Sequence, residues 1–219
     1  MGISPEALVE QVQVNVLETE RPVARRFFDW CREAIGGLAE GPLDYDGRFR
    51  VSRNSFFQVN RFLERPLVEA ATEGERGERA LDLYAGVGLF SLALAGGFRE
   101  VTAVESGAAA VRDLGFNTGR AGRGNVWVEQ RTAEEHLAAL ETAPDFVLLD
   151  PPRAGLGKAV VRRLSELRPP LVTIVACDPA TLARDLAGLI AAGYQVKRMT
   201  LVDLFPQTFH LETVVRLAI

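Results

Sequence analysis

Three stretches of this 219-residue chain carry residues whose type and spacing could do chemistry. The first centres on Cys177, followed by Asp178-Pro179-Ala180-Thr181-Leu182. Asp178 reads as a helix N-cap and Pro179 as a first-turn residue. A thiol beside a helix N-terminus has its thiolate favoured, which makes Cys177 a candidate nucleophile; a lone cysteine at a strand end is also an ordinary small core residue. The second is Leu81-Asp82-Leu83-Tyr84-Ala85-Gly86-Val87-Gly88-Leu89-Phe90-Ser91, a strand, a glycine-rich turn and a helix start. Gly86 and Gly88 let the turn fold tightly and let a ligand approach the backbone, while the helix start offers free N–H groups. Glu105 closes the next apolar run, and an acid there can accept both hydroxyls of a ribose. The third is Asp150-Pro151-Pro152-Arg153-Ala154-Gly155-Leu156. Its prolines stiffen the loop behind a carboxylate and remove competing donors, although Asp-Pro is also a common turn opener.

The elements that must position these groups are legible from about Leu63 onward. Residues 80–84, 101–105, 126–129, 146–150 and 172–177 are short apolar runs suited to buried parallel strands. Between them, Val160, Val161, Leu164 and Leu167 keep helical spacing, as do Leu182, Leu186, Leu189 and Ile190. Residues 195–202 and 212–217 read as two more strands with no helix between them, hence an antiparallel pair. In an open α/β sheet the carboxyl ends of the strands line the ligand crevice, which puts Gly86, Glu105, Asp150 and Cys177 on one edge. The first sixty residues differ in character. Val12, Val14 and Val16 alternate as a short strand, and Pro22 opens a helix through Phe27, Phe28, Trp30 and Cys31 that ends at Gly36-Gly37. Residues 48–59 read as strand-like after a turn at Asp46-Gly47. We assign residues 1–60 to a cap or flap and 61–219 to the main domain.

This pattern predicts an α/β fold with a Rossmann-like, mostly parallel seven-stranded sheet closed by a C-terminal antiparallel hairpin. That topology resembles the class I S-adenosylmethionine-dependent methyltransferases. A nicotinamide-binding fold is the rival, because Gly86-x-Gly88 with Ser91 loosely mimics GxGxxG. Asp82, inside the strand just before the turn, could hold the methionine end of S-adenosylmethionine, and with the terminal hairpin it favours the methyltransferase.

Five motifs then fall in one family's order: Asn54-Ser55-Phe56-Phe57-Gln58-Val59-Asn60, residues 82–90, residues 150–156, residues 177–186, and Asp203-Leu204-Phe205-Pro206-Gln207-Thr208-Phe209-His210-Leu211-Glu212. Together, over residues 46–219, they resemble the catalytic domain of the uracil-C5 RNA methyltransferases that act on tRNA or ribosomal RNA. The resemblance implies S-adenosylmethionine as cofactor, held by Gln58, Asp82, Tyr84, Gly86, Gly88, Glu105 and Asp150. It implies Cys177 as nucleophile, Glu212 as base, and Asp150 bonded to the uracil edge. Such chemistry has a clear rationale. Uracil C5 is a poor nucleophile until a thiolate adds to C6, and a base must afterwards remove the C5 proton. The target nucleotide must leave its stack to enter the pocket. Phe56 and Phe57 could pack there or in the core, Glu212 has the lesser alternative of a solvent-facing strand residue, and His210 reads as an orienting or packing residue.

Composition limits the partners. The net charge of −4, with only short basic pairs such as Arg25-Arg26 and Arg162-Arg163, predicts weak RNA binding by the chain alone. Two cysteines, Cys31 and Cys177, give no disulfide framework and no CxxC metal pair. Without a signal-peptide pattern or an apolar run of about 20 residues, a cytoplasmic location with no membrane partner is expected. The sequence also departs from the family. Asp178 stands where the family usually has Asn, and an acid beside the thiol predicts a sluggish or high-pH nucleophile. Thr132 replaces an Asp near the adenine, and residues 1–45 match no family segment. The family's N-terminal RNA-binding β-barrel and iron–sulfur cysteines are not in the sequence. Three readings stay open: a uridine methyltransferase, a methyltransferase with a small-molecule or other RNA substrate, and a non-catalytic RNA- or cofactor-binding relative.

Overall fold

A three-residue ladder opens the described chain, with β1 (Leu43–Tyr45) antiparallel to β2 (Phe49–Val51). Its turn takes left-handed backbone at Asp46 and Gly47, the conformation that Asp-Gly pairs favour in hairpins. The computed structural model describes residues 42–219 except 53, 54, 59, 61, 73 and 205–210. The strand expected around Val14, the helix from Pro22, and Cys31 lie outside the described residues.

After α1 (Glu64–Thr72) the apolar runs become the main sheet: β3 (Gly77–Leu83), β4 (Phe98–Glu105), β5 (Val126–Gln130), β6 (Phe146–Leu149), β7 (Leu171–Ala176), β8 (Gln195–Val202) and β9 (Glu212–Ala218). Their order across the sheet is β5-β4-β3-β6-β7-β9-β8. Strands β3 to β7 are mutually parallel, and β9 runs antiparallel to both β7 and β8. This is the class I methyltransferase architecture expected from the sequence. The central strands are apolar on both faces because helices cover both. On one side α1, α2 (Leu89–Leu94) and α3 (Ala108–Arg120) pack, through Leu67, Phe90, Leu94 and Leu114. On the other, α4 (Ala133–Ala139), α5 (Gly157–Leu167) and α6 (Pro179–Ala191) bring Leu137, Val160, Leu164, Leu182 and Leu189 onto Val147, Leu149, Ile174 and Val215. Burying one such side chain contributes roughly 1.5–3 kcal/mol, so the two layers dominate stability.

Two details differ from the sequence reading. Tyr84, Asp150 and Cys177 lie one residue past their strands, at the start of the loops. The strand expected over 48–59 stops at Val51, because Ser52 gives its N–H to a side chain of α3 rather than to a neighbouring strand. Chain direction matters most at the middle of the sheet. The path moves outward from β3 to β5, then returns to lay β6 on the other side of β3. A crevice opens at that reversal, beyond the carboxyl ends of β3 and β6.

Candidate active site

The turn after β3 forms one wall of the crevice. Left-handed backbone at Tyr84 (φ 62), Gly86 (φ 55) and Gly88 (φ 98) folds it back on itself. Tyr84 bears a side chain there at a cost of about 1–3 kcal/mol, the kind of strain found at functional sites. Gly88 is required twice over, since a Cβ would also lie 2.5 Å from Leu114 Cδ1. Glu105, at the end of β4, accepts the N–H groups of Gly86 (3.0 Å) and Gly107 (2.6 Å). Those bonds fix its orientation, and each carboxylate oxygen keeps a further acceptor site for a hydroxyl.

Two buried acceptors face this wall without donors. Asp82 is fully buried; Ser91 Oγ donates to its Oδ2 at 2.5 Å, while Oδ1 has no partner. Burial pushes its carboxyl up to about 7, against the Ser91 hydrogen bond and helped by the charge of Glu105. Gln58 is 4% exposed, and its Oε1 is likewise unpartnered. A buried polar atom left unmade costs about 1–3 kcal/mol. The ammonium and sulfonium of S-adenosylmethionine are cationic, so the residues present fit that group.

Sequence reasoning missed how the Gln58 segment is held. Asp113 and Asn117, one turn apart on α3, are both fully buried. Asp113 accepts Ser52 N–H (2.5 Å), Ser52 Oγ (2.7 Å) and Ser55 Oγ (2.8 Å), and pairs with Arg50 Nε at 3.1 Å. Asn117 accepts Arg50 N–H at 2.7 Å and donates to the carbonyls of Arg50 and Val87, both at 3.0 Å. The segment before Gln58 is thereby tied to the glycine-rich turn itself. The i, i+4 spacing of two polar residues was the only signal, and it looks like any solvated helix face.

The opposite wall carries the candidate nucleophile and base. The β7–β9 ladder ends at the Ala176–Thr213 pair, so Cys177 and Glu212 are the next residues of two adjacent strands, close enough for the Glu212 charge to act on the thiol. Glu212 is 5% exposed and its Oε2 has no hydrogen-bond partner. Burial raises its carboxyl above the usual glutamate range. Asp150 is pushed well above the ordinary aspartate range by burial, then by the charges of Glu212 and Asp82. Burial also raises the Cys177 thiol; Glu212 and Asp150 add to this, while Arg153 opposes it. Asp82, Asp150, Cys177 and Glu212 thus form one electrostatic cluster. The elevated thiol agrees in direction with the sequence reading, but its cause is different. Asp178 turns away to cap α6, accepting Thr181 N–H at 2.8 Å and Thr181 Oγ1 at 3.0 Å, and those bonds lower its own carboxyl.

A second set of contacts ties the loop after β6 to helix α6. Asp185, buried on α6, accepts Leu156 N–H at 2.7 Å and the Arg184 guanidinium at 2.9 Å. Arg184 reaches the Ala154 carbonyl (2.9 Å), and Thr181 Oγ1 donates to that of Arg153 (3.2 Å). Gly155, at φ 78, sits so close to Asp185 and Arg184 that any Cβ would collide with them.

Other expected residues fall as follows. Phe57 joins the core, its ring 4.8 Å from Tyr45 and 5.1 Å from Phe49, whereas Phe56 is exposed at the surface. Thr132 is the N-cap of α4, in a reciprocal capping box with Glu135. His210 lies outside the described residues. Among the described residues no group of His, Cys, Asp and Glu is placed to hold a metal ion, and no helix is long and apolar enough to cross a membrane.

Known proteins resemble this chain in sequence and fold. The sequence profile described as tRNA (Uracil-5-)-methyltransferase matches residues 43–219. An RNA methyltransferase of Thermosynechococcus vestitus, named as uncharacterized, is 42% identical over 173 residues, covering 76% of this chain and 38% of that protein. The 23S rRNA (uracil(1939)-C(5))-methyltransferase RlmD of Halomonas elongata is 40% identical, over 75% of this chain and 36% of its own length. Among solved structures, the Pyrococcus abyssi tRNA (uracil-54, C5)-methyltransferase in complex with S-adenosyl-L-homocysteine superposes with a TM-score of 0.70 at 34% identity, covering 78% of this chain and 42% of that one. The chain therefore spans about two-fifths of the length of these relatives.

Proposed function

The chain belongs to the tRNA (uracil-5-)-methyltransferase family, and on that premise we propose that it methylates C5 of a uridine in tRNA or ribosomal RNA through a covalent adduct at Cys177. The observation that carries this reading is the end of the β7–β9 ladder, where Cys177 and Glu212 follow the last pair, Ala176–Thr213, at the crevice edge. S-adenosylmethionine, when bound, supplies an electrophilic methyl group. Gln58 and Asp82 hold its cationic methionine end, Glu105 takes the ribose hydroxyls, and Tyr84, Gly86 and Gly88 shape the turn against it.

The chain's own residues do the rest. Cys177 gives its proton to solvent, and its sulfur bonds to C6 of the uracil. The C5–C6 π pair moves toward C5 and O4, which makes C5 a competent nucleophile. Asp150, whose carboxyl holds its proton to higher pH, offers one donor and one acceptor, matching the O4 and N3–H edge of uracil. Once C5 carries the methyl group, Glu212 takes the C5 proton, the C5–C6 double bond reforms, and the thiolate leaves. A base with a raised pKa is a stronger proton acceptor, which suits Glu212 to this step. RNA containing 5-fluorouracil tests the scheme, because fluorine at C5 cannot leave as a proton. A stable adduct on Cys177 is expected. Methyl transfer to RNA with no trapped adduct, or an adduct on another residue, would overturn it.

A further inference from the structure

We propose that the described residues of 52–60 form a strap with two separable anchors, one positioning Gln58 for the cofactor and one positioning Glu212 beside Cys177. The proposal rests on the roles assigned to those three residues above. At the first anchor Asp113 binds Ser52 and Ser55, and Asn117 binds both Arg50 and the glycine-rich turn at Val87. Beyond it, the Phe56 carbonyl lies over Gly86, where a Cβ would be 3.8 Å away, and Gln58 is buried with a free acceptor. Ser55 and Asp113 therefore act on the cofactor through the strap, and Asn117 acts through both the strap and the glycine-rich turn.

The second anchor is Asn60. Its Nδ2 donates to the Leu204 carbonyl at 3.1 Å, across 144 positions of sequence. Leu204 N–H in turn bonds to the carbonyl of Val202, the residue paired with Glu212 in the β8–β9 ladder. Asn60 thus pins the end of the hairpin that presents the base. Its own carbonyl meanwhile caps α1 by accepting the N–H groups of Leu63 and Glu64. One short segment spans the cofactor wall and the base wall, and each end has its own fastening.

Separable anchors predict separable defects. Ser55→Ala removes one hydrogen bond at the cofactor end, and Asn60→Ala removes the tie to Leu204; both are assayed in the full chain, with thermal unfolding as a check on folding. Calorimetric binding of S-adenosylhomocysteine and the pH profile of Cys177 alkylation, read on its peptide by mass spectrometry, are measured for each. Ser55→Ala should weaken binding by about fivefold to tenfold, the worth of one hydrogen bond, and leave the alkylation midpoint in place. Asn60→Ala should keep affinity within about twofold and lower the midpoint by about half a pH unit, because Glu212 moves away from the thiol. Ser52→Ala and Asn60→Ser repeat the pair should a first variant unfold. Equal effects of both variants on both readouts, or no effect of either, would overturn the proposal. Failure of the wild-type chain to bind S-adenosylhomocysteine would instead overturn the cofactor reading and the first anchor with it, while alkylation still judges the second.

Discussion

Asp82→Asn should make the ligand-free protein relatively more stable as pH rises, even though it weakens the cofactor site. Asp82 is fully buried, with one oxygen bonded to Ser91 and the other unpartnered. Its carboxyl is raised from an ordinary 3.8 to about 7. Between those values the unfolded chain has already lost the proton that the folded chain retains. Asp82 therefore favours folding most below 3.8, and that contribution falls as pH rises to about 7, then levels off. The full loss is about 4 kcal/mol, of which about 2.5 kcal/mol falls between pH 5 and pH 8. An asparagine does not titrate. Urea unfolding of the two ligand-free proteins at pH 5, 6, 7 and 8 gives their stability difference at each pH, and most other titrations cancel. We expect wild type minus Asn variant to fall by about 2.5 kcal/mol over that range. A change of less than about 0.5 kcal/mol would refute the claim that Asp82 is held largely protonated by burial.

Other perturbations give further checks. Alkylation of Cys177 should show a midpoint above that of a free thiol, and Glu212→Gln should lower it by removing a neighbouring negative charge; a midpoint at or below the free-thiol value contradicts the cluster. Gly88→Ala forces a side chain into left-handed backbone and onto Leu114; thermal unfolding should show a loss of about 1–3 kcal/mol, together with weaker S-adenosylhomocysteine binding. Asp185→Ala leaves Leu156 N–H buried without its acceptor and the Arg184 guanidinium without its carboxylate. Urea unfolding should record a loss of about 3 kcal/mol, and unchanged stability would show that the loop does not depend on this clamp.

The sheet was the most legible part of the chain. Phe146–Leu149 is apolar throughout, and Leu171–Ala176 is apolar but for Thr173, because helices cover both faces, so the pattern survives without knowledge of partners. The chemistry-bearing residues were legible for a related reason. Strand ends in a parallel sheet converge on one edge, and Gly86, Glu105, Asp150 and Cys177 each follow or end an apolar run. Residues that act by contact across the fold left no such trace. Asp113, Asn117 and Asp185 sit on helices where a polar side chain ordinarily faces water, and only the packed structure shows them buried. The neighbourhood of Cys177 was misjudged in the same way. Asp178 is adjacent in sequence but engaged in a cap, whereas Glu212 is distant in sequence and follows the last pair of the β7–β9 ladder, where its charge reaches the thiol.

The most direct test of the central claim is the position of the methyl group. The chain is incubated with labelled S-adenosylmethionine and unmodified tRNA and ribosomal RNA, with and without Cys177→Ala, and the RNA is digested to nucleosides. Label should appear in 5-methyluridine with the wild-type chain and be absent with the variant. Label in any other nucleoside, or label that persists without Cys177, would contradict that claim.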